Sequence, residues 1–207
     1  MVIGIGIGIS FSGQKGQKVR QNFPIEMAAG LMDFSITNAV GVLWSFPDGT
    51  TSTADRPAKT LAEAGTVFLD CDDFTKADIE IKDNNTNTDY IGDLSDFPPF
   101  TYAASFSNTA VTGDISALSN LTYYASFGST DVTGILDPHP SLSILYLNNT
   151  NLSTNDTDQT VINLDTNTTA TGTRALNISG LNRTSASTSA VNSLLAKGWS
   201  VADGTVV

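Results

Sequence analysis

The sequence contains a single cysteine, Cys71, and a single histidine, His139. One cysteine cannot form a disulfide within the chain, and one distant histidine supplies neither a nucleophile–base pair nor a cluster of metal ligands. Cys71 alternates with the apolar Val67 and Leu69, which indicates a small buried side chain on a strand. His139 lies between two prolines in a linker. We therefore interpret both residues as structural.

Basic residues are scarce: ten lysines and arginines oppose 21 aspartates and glutamates, for a net charge of −11. Lys15, Lys18 and Arg20 all precede the first acidic residue, Glu26, so the rest of the chain is more acidic still. A body of this charge repels the phosphates of nucleic acids and the headgroups of anionic membranes. We expect neither a nucleic acid nor a membrane as a partner.

Motifs of the common enzyme classes are absent from the sequence. There is no phosphate-binding loop, no serine nucleophile elbow, no paired-cysteine metal site and no dinucleotide-binding fingerprint. Carboxylates are plentiful, but no two of them stand out as the acid and base of a glycosidase. We therefore expect no catalytic residues, no cofactor and no enzymatic activity.

Oxygen-rich segments occur at Asp70, Asp72 and Asp73, and again over residues 83–89. Such loops can bind Ca²⁺ through carboxylate and amide oxygens. Neither segment has the alternating Asp spacing, with its glycine and distal Glu, of a calcium-binding loop. The sequence therefore favours solvated loops over a calcium site, and it predicts no other metal site.

Long apolar runs are also missing, since a membrane-spanning helix would need about 20 consecutive apolar residues. The segment most similar to an apolar run is residues 3–11, in which apolar residues alternate with glycine or serine. The apolar residues are Ile3, Ile5, Ile7, Ile9 and Phe11. Alternation predicts a strand with one isoleucine face and one bare face. The bare face would let a partner's backbone approach closely, so we expect this arm to join another protein's sheet. The alternative is the first strand of the chain's own sheet.

Gly13, Gly16 and the basic residues around them predict a flexible, positively charged neck. Arm and neck together resemble the N-termini of bacteriophage virion proteins, in which a short arm fastens a projecting domain to the particle. The resemblance implies that the five apolar side chains of the arm anchor the chain to other virion proteins.

Blocks of sequence repeat one another in the middle of the chain. Gly92-Asp93-Leu94-Ser95 opens the first block, Gly113-Asp114-Ile115-Ser116 opens the second, and a third starts at Gly134. A period of about 20 residues is typical of a solenoid, in which each repeat buries its apolar residues only against its neighbours. We therefore expect stacked repeats in this part of the chain.

The third block reads Leu142-x-x-Leu145-x-Leu147-x-x-Thr150-x-Leu152, which resembles the leucine-rich repeat, with Thr150 where that family usually has Asn or Cys. The second half of the pattern recurs in the earlier blocks at Phe106, Thr109, Val111, Phe127, Thr130 and Val132. The resemblance covers residues 77–207. It implies one short parallel strand per repeat, with the Thr position satisfying backbone groups at the turn.

Further strands and a cap are expected around these blocks. Ile79-x-Ile81 predicts the first repeat strand, and two later strands are predicted at Ile162-x-Leu164 and Leu176-x-Ile178. Residues 188–197 place apolar side chains at helical spacing and are followed by a glycine, which predicts a capping helix. Trp199 would then seal the last repeat.

Short alternating strands are predicted ahead of the repeats, at Phe34 and Ile36 and then at Val40, Val42, Trp44 and Phe46. Residues 44–53 resemble the core motif of the polycystic-kidney-disease (PKD) domain, a small β-sandwich of the immunoglobulin type. Pro57 and Gly65-Thr66-Val67 also match that family, whereas Pro47 replaces its first motif glycine and Leu61 its aromatic residue. The resemblance implies a sandwich over residues 23–76, with Trp44 and Phe46 in its core.

All five tyrosines lie between Tyr90 and Tyr146. Tyr102 and Tyr123 hold the same place in successive repeats. Tyrosines stacked along one face of a solenoid could bind a sugar or a protein, which makes a candidate ligand surface of Tyr102, Tyr123, Tyr124 and Tyr146. The alternative is aromatic padding within the repeat.

The sequence therefore predicts a mainly β protein in three parts. These are an anchoring arm and neck over residues 1–22, a PKD-like β-sandwich over residues 23–76, and a leucine-rich-repeat-like solenoid with a C-terminal capping helix over residues 77–207. The arm would provide attachment to a particle, and the repeats would provide the surface for adhesion.

Two functions fit. The first is a non-enzymatic structural protein of a bacteriophage virion, such as a head fibre, capsid decoration or tail appendage, which displays its repeats for adhesion. Its expected partners are other virion proteins and a glycan or protein of the host surface, and it could form a homo-oligomer. The second is a secreted or surface-displayed bacterial adhesion or carbohydrate-binding module.

Overall fold

The structure is a computed structural model, and it describes residues 21–27, 29–31, 34–81, 90–97, 101–106 and 110–207. Within these ranges strands predominate and only two α-helices occur, so the expectation of a mainly β protein is confirmed. Neither of these two helices is long and apolar enough to cross a membrane. The anchoring residues Ile3, Ile5, Ile7, Ile9 and Phe11 lie outside the described residues, and their role stays a prediction.

The strands, in chain order, are β1 (Gln21–Met27), β2 (Gly30–Leu31), β3 (Phe34–Thr37), β4 (Leu43–Ser45), β5 (Thr51–Ser52), β6 (Thr60–Leu61), β7 (Gly65–Cys71), β8 (Asp78–Ile81), β9 (Tyr90–Asp93), β10 (Ala103–Ser105), β11 (Ala110–Asp114), β12 (Tyr124–Ser126), β13 (Asp131–Thr133), β14 (Ile144–Tyr146), β15 (Ala175–Asn177), β16 (Asn182–Arg183), β17 (Ser200–Ala202) and β18 (Thr205–Val206). The α-helices are α1 (Thr154–Asn167) and α2 (Thr188–Ala196). Short 3-10 helices occupy Phe74–Lys76, Leu94–Asp96, Ile115–Leu118 and Ser185–Ser187.

Two seven-stranded sheets organise these strands. The first sheet has the order β13-β11-β9-β1-β7-β4-β5, and the second has the order β17-β15-β14-β12-β10-β8-β3. Antiparallel pairing joins the strands up to β9 in the first sheet and β3 to β8 in the second. The later neighbours in both sheets are parallel. Two small sheets pair β2 with β6 and β16 with β18.

Both sheets continue across the predicted boundary between residues 76 and 77. In the first sheet β1 pairs with β7 on one side and with β9 on the other. In the second sheet β8 lies between the antiparallel β3 and the parallel β10. The predicted first repeat strand at Ile79 is therefore present as β8, and it is also the strand that links the two kinds of pairing. The division of the chain at residues 22 and 76 stays a prediction.

Alternating side chains fill the core of the antiparallel part. Val67, Leu69 and Cys71 on β7 are fully buried, which confirms the interpretation of Cys71 as a small core residue. Trp44 on β4 is also fully buried, and its Nε1 donates a hydrogen bond to the Ala54 carbonyl at 2.9 Å. The buried Trp44 thus keeps its one polar atom satisfied.

The predicted alternation from Val40 to Phe46 is only partly correct. Val42, Trp44 and Phe46 are buried, but Val40 precedes the strand and is 68% exposed. The chain turns at Gly41, where φ is +73°. A Cβ at Gly41 would lie 2.7 Å from the Asp72 carboxylate, so the turn brings this backbone against the end of β7.

The parallel strands of the second sheet keep one inward register. Ile79, Ala104, Ala125, Leu145 and Leu176 align across β8, β10, β12, β14 and β15, and all are buried. The remaining apolar positions of the repeat are also buried, namely Phe106, Val111, Phe127, Val132, Leu142, Leu147 and Leu152. The predicted burial of Leu145 and Leu147 is thereby confirmed.

The turns after β12 and β14 each use a left-handed residue followed by a threonine. Ser129 and Asn149 have φ of 60° and 54°, a conformation that short polar side chains tolerate. The Thr130 hydroxyl donates to the Phe127 carbonyl at 2.6 Å, and the Thr150 hydroxyl donates to the Leu147 carbonyl at 2.9 Å. The predicted role of Thr150, satisfying a backbone group at the turn, is confirmed.

The repeated Gly-Asp pairs interlock successive turns. The Asp93 carboxylate accepts from the Ser95 backbone at 2.9 Å and caps the 3-10 helix there, and Asp114 does the same for Ser116 at 2.8 Å. A Cβ at Gly113 would lie 2.7 Å from the Asp93 carboxylate, and one at Gly134 would clash with the Asp114 carboxylate. Each Asp therefore needs a glycine in the following repeat.

The strand predicted at Ile162 and Leu164 is wrong, because residues 154–167 form α1. The Ser153 hydroxyl caps this helix by accepting from the Asp156 backbone at 3.1 Å. The buried residues Thr157, Val161 and Leu164 recur at helical spacing, and this period prevails over the short alternation of Ile162 with Leu164. The strand at Leu176 and the helix at residues 188–197 are present as β15 and α2. Trp199, three residues after the end of α2, is buried.

Candidate functional site

Tyr102 and Tyr123 form an exposed aromatic pair at the beginning of two neighbouring strands of the second sheet. They precede β10 and β12, and the Tyr123 backbone donates to the Tyr102 carbonyl at 3.0 Å. Their ring centroids are 5.1 Å apart with planes inclined by 18°. The side chains remain 45% and 40% exposed. The repeat therefore stacks two large rings in solvent, and we call them the tyrosine stack.

Threonines hold the strand starts beneath the tyrosine stack. The backbone and the hydroxyl of Thr122 both donate to the Thr101 carbonyl, at 2.9 and 2.8 Å. The Thr101 hydroxyl in turn donates to the Thr75 carbonyl. These bonds link three successive turns through residues directly adjacent to the rings. The backbone next to the tyrosine stack is therefore hydrogen-bonded from one repeat to the next.

Tyr124 and Tyr146 form a second pair, on the outward surface of the same sheet. Tyr124 aligns with Ile144 on the neighbouring strand, and Ser126 aligns with Tyr146, so the two tyrosines are diagonal neighbours. Their ring centroids are 5.9 Å apart in an edge-to-face arrangement of 77°. Both side chains are half-buried. The four predicted tyrosines therefore lie on one sheet, but as two separate pairs.

On the side of the second sheet that faces away from the core, each of the five strands from β10 to β17 contributes two positions, of which Ser105 and Ser126 are covered by their neighbours and only 6% and 3% exposed. Since inward and outward side chains alternate along a strand, these outward residues flank the buried central residues of the strands. We call them the outer strip: Ala103, Ser105, Tyr124, Ser126, Ile144, Tyr146, Ala175, Asn177, Ser200 and Ala202. None of these ten residues is charged.

Asp78 on β8 borders the outer strip and aligns with Ala103. One of its carboxylate oxygens accepts from the Asn38 amide at 2.6 Å, while the other is buried and accepts no hydrogen bond within the described part of the chain. Burial raises the pKa of Asp78, and the bonds from Asn38 and Thr37 oppose that effect. The strip thus ends at a carboxyl group whose charged form is disfavoured by its surroundings.

The Ser187 hydroxyl makes a contact with a carboxylate that resembles the contact of an activated serine. Its hydroxyl donates to Asp158 at 2.5 Å, and Asp158 also accepts from the Thr184 hydroxyl at 2.6 Å. Burial raises the pKa of Asp158, but the hydrogen bonds from Ser187 and Thr184 outweigh it and the pKa is lowered overall. Ser187 has no exposed surface, so a substrate could not reach it. This contact joins α1 to the segment before α2.

Cys71, His139 and Asp73 are in structural surroundings. Burial raises the pKa of the Cys71 thiol. His139 accepts a bond from the Ser141 backbone at 3.2 Å through its Nδ1. Asp73 caps a 3-10 helix by accepting from the Thr75 backbone at 3.0 Å. In the described ranges no three His, Cys, Asp or Glu side chains are grouped as a metal site, and the Asp/Asn run over residues 83–89 lies outside those ranges.

The sequence predicted four tyrosines as a candidate ligand surface, of which Tyr124 and Tyr146 belong to the outer strip, but it did not predict the other residues of the strip. Ser105, Ser126 and Asn177 belong to the strip only through their alignment with tyrosine-bearing strands. The signal that could have found them is the two-residue alternation around each buried strand centre, projected across the repeats. No protein-family model, no curated protein and no solved structure matches this chain.

Proposed function

We propose that this chain is a non-enzymatic structural protein of a bacteriophage virion, attached by its N-terminal arm and displaying a repeat domain for adhesion. The observation that carries the proposal is the tyrosine stack, in which two large rings stay 45% and 40% exposed instead of packing into the core. Aromatic rings held in solvent on a rigid scaffold are typical of recognition surfaces. The repeat domain supplies the scaffold.

The proposed architecture is a leucine-rich-repeat-like solenoid over residues 77–207, preceded by a PKD-like sandwich over residues 23–76. Each repeat contributes two short parallel strands, one to each sheet, where the leucine-rich-repeat resemblance implied only one. These stacked strands, with buried Leu145 and Leu147, support the solenoid. The antiparallel strands around the buried Trp44 support the sandwich. In this arrangement α2 and Trp199 cap the last repeat.

The proposed attachment depends on the isoleucine face of the arm. Ile3, Ile5, Ile7, Ile9 and Phe11 would pack against other virion proteins, while the glycine face would lie close to a partner backbone. The basic neck would space the acidic body from the particle. The proposed location is therefore the virion, with the repeat domain directed outwards.

Deletion of residues 2–12 tests this proposal. We expect the shortened protein to unfold at the same urea concentration as the full chain, and to be absent from purified particles assembled in its presence. A matched control replaces Gly13 and Gly16 by serine, which keeps the isoleucine face and should leave attachment unchanged. Unfolding of the shortened protein would instead assign the arm to the chain's own core.

A second candidate is a secreted or surface-displayed bacterial adhesion or carbohydrate-binding module. The tyrosine stack favours it as well, because exposed rings can bind a ligand without any particle. The two candidates differ at the arm, which only the virion protein requires for its location. Attachment of the full chain to particles, lost on deleting residues 2–12, would exclude the second candidate.

A further inference from the structure

We infer that the outer strip is a binding site for an uncharged linear polysaccharide that lies across the strands. The inference rests on the proposed adhesive function and names the class of ligand that this surface takes. It depends on three properties of the strip: its charge, its dimensions and the chemistry of its side chains.

The charge of the strip excludes ions as the basis of recognition. All ten outward residues from β10 to β17 are neutral, although the chain has a net charge of −11. The sequence has no lysine or arginine between Lys82 and Arg174, so an anionic polymer would find no cation along most of this surface. A cationic polymer would find no carboxylate on the strip itself. Either charged polymer would bury charges without a partner, which costs free energy, and an uncharged ligand avoids that cost.

The strip is long and narrow. Its five strands span roughly 19 Å, since neighbouring strands lie about 4.8 Å apart, and its two outward positions per strand lie roughly 7 Å apart. The area that these two lengths enclose is far below the ~800 Å² that each partner contributes to a stable protein interface. A second copy of the chain, or another folded protein, therefore has too little contact here, whereas a linear polymer matches the shape.

The side chains of the strip provide the two kinds of contact that a sugar chain needs. Tyr124 and Tyr146 stand half-buried at its centre, offering apolar ring surface and phenolic hydroxyls. The Asn177 amide nitrogen can donate to a sugar hydroxyl, while its Oδ1 already accepts from the Ser179 backbone and hydroxyl. Ala103 and Ala175 flank the rings with short side chains, so a polymer can lie down on either side of them.

The tyrosine stack extends this site at the strand starts. Because its rings face each other at 5.1 Å, each ring has one face occupied by the other. The exposed parts of both rings therefore lie at the border of the strip, while Tyr124 and Tyr146 occupy its middle.

The test is electrophoresis of the full chain in native gels that contain a soluble polysaccharide. The neutral probes are dextran, mannan and a mixed-linkage β-glucan, and the charged probes are alginate and glycol chitosan. We expect at least one neutral probe to retard the protein, equally at about 0.05 and 0.5 M NaCl, because an uncharged ligand is not subject to ionic screening. We expect no retardation by alginate.

Variants of the strip locate the site. Tyr124→Ala with Tyr146→Ala should weaken retardation at least tenfold. Ala175→Asp is a second variant that keeps both rings and places a charge in the strip, and it should weaken retardation as well. The matched controls are Thr112→Ala and Thr133→Asp on the first sheet, whose retardation should equal that of the unmodified chain.

Four results would overturn the inference: retardation only by the charged probes, retardation by none of the probes, full retardation of both strip variants, or self-association that Ala175→Asp abolishes. The last result would assign the strip to a second copy of the chain. Protein lacking residues 2–12 should be retarded like the full chain. Failure of the arm experiment with retained retardation would therefore reject the virion proposal and leave the ligand assignment standing.

Discussion

The outward surfaces of the two sheets carry opposite kinds of side chain. Where the strands are parallel, the first sheet carries Asp93, Asp114 and Asp131, while the outer strip of the second sheet has no charged residue. The carboxylates of Asp93 and Asp114 each cap a 3-10 helix and pack against a glycine of the next repeat. Charge on the first sheet therefore builds the turns, whereas the outer strip, which borders Asp78 on β8, carries no charge between β10 and β17.

The comparison predicts different consequences for substitutions on the two surfaces. Changes at the Gly-Asp turns should lower the free energy of unfolding, and changes at the exposed tyrosines should alter binding with little effect on folding. The shared core beneath both sheets should be the most sensitive region of all.

The largest effect is expected for the core residue Leu147. It is 1% exposed at the end of β14, so Leu147→Ala should lower the free energy of unfolding by about 2–5 kcal/mol through lost burial and a residual cavity. Urea unfolding followed by circular dichroism measures the difference. Leu195→Ala is the control, because Leu195 is 49% exposed and its loss should change stability by less than about 0.5 kcal/mol. An equally small effect at Leu147 would contradict the repeat alignment.

The next largest effect is expected at the interlocked turns. Gly134→Ala places a Cβ against the Asp114 carboxylate at a position with φ of +86°, so both backbone strain and the helix cap are affected. We expect a loss of about 2–4 kcal/mol, from about 1–3 for the strain and about 1 for the cap. Gly49→Ala has a similar φ of +81° and nothing within 4 Å, so it measures the strain alone. Equal losses at both positions would mean that Asp114 does not need the glycine.

The burial pattern of the repeats could be predicted from the sequence because it has a direct physical cause. Leu145 and Leu147 alternate along one strand, as Val67, Leu69 and Cys71 do along another, and a period of two places them on one face. The tyrosine stack could be predicted for a related reason. Residues at the same place in successive repeats become neighbours when the repeats stack in register.

Helix α1 could not be predicted because its buried side is largely polar. Thr157, Asp158 and Thr160 are buried. Thr157 donates to the Ser153 carbonyl within the first turn, whereas Asp158 and Thr160 have partners distant in sequence. Thr160 accepts from the Leu136 backbone at 3.1 Å, and Asp158 accepts from the Ser187 hydroxyl at 2.5 Å. A hydrophobic pattern cannot report a buried surface of this kind. The same helix lengthens the spacing to β15, which concealed the alignment of Asn177 with Tyr146.

As the pH falls, the polar contacts around α1 should weaken before the outer strip, which has no charged residue, is affected. Hydrogen bonds lower the folded-state pKa of Asp158, and the Arg183 guanidinium lowers that of Asp203, both from an ordinary value of 3.8. Their stabilising contribution is therefore complete above that value, and is lost as the pH falls through the lowered pKa values. The free energy of unfolding should decline below about pH 4.

Asp158→Asn locates that decline. At pH 7 it should lower stability by about 1–3 kcal/mol, because Thr184 and Ser187 lose a charged acceptor. The difference from the unmodified protein should shrink as the pH falls through the lowered pKa of Asp158. Asp55→Asn is the control at an exposed carboxylate and should follow the unmodified protein throughout. A pH-independent difference at Asp158 would show that its charge does not contribute to stability.

The smallest effect on stability, and a large effect on binding, are expected at the tyrosine stack. Changing Tyr102 and Tyr123 to alanine removes one exposed ring pair, which should lower the free energy of unfolding by only about 0.5–1.5 kcal/mol. Adhesion of particles that carry many copies should fall much further, because avidity multiplies a loss at each copy, by about 10² or more for linked sites. Particle retention on cell surfaces or on mucus-like glycans measures this, with Tyr102→Phe and Tyr123→Phe as the control that keeps the rings. Unchanged retention of the alanine variant would exclude the tyrosine stack from adhesion and leave the chain a decoration role without a ligand at this site.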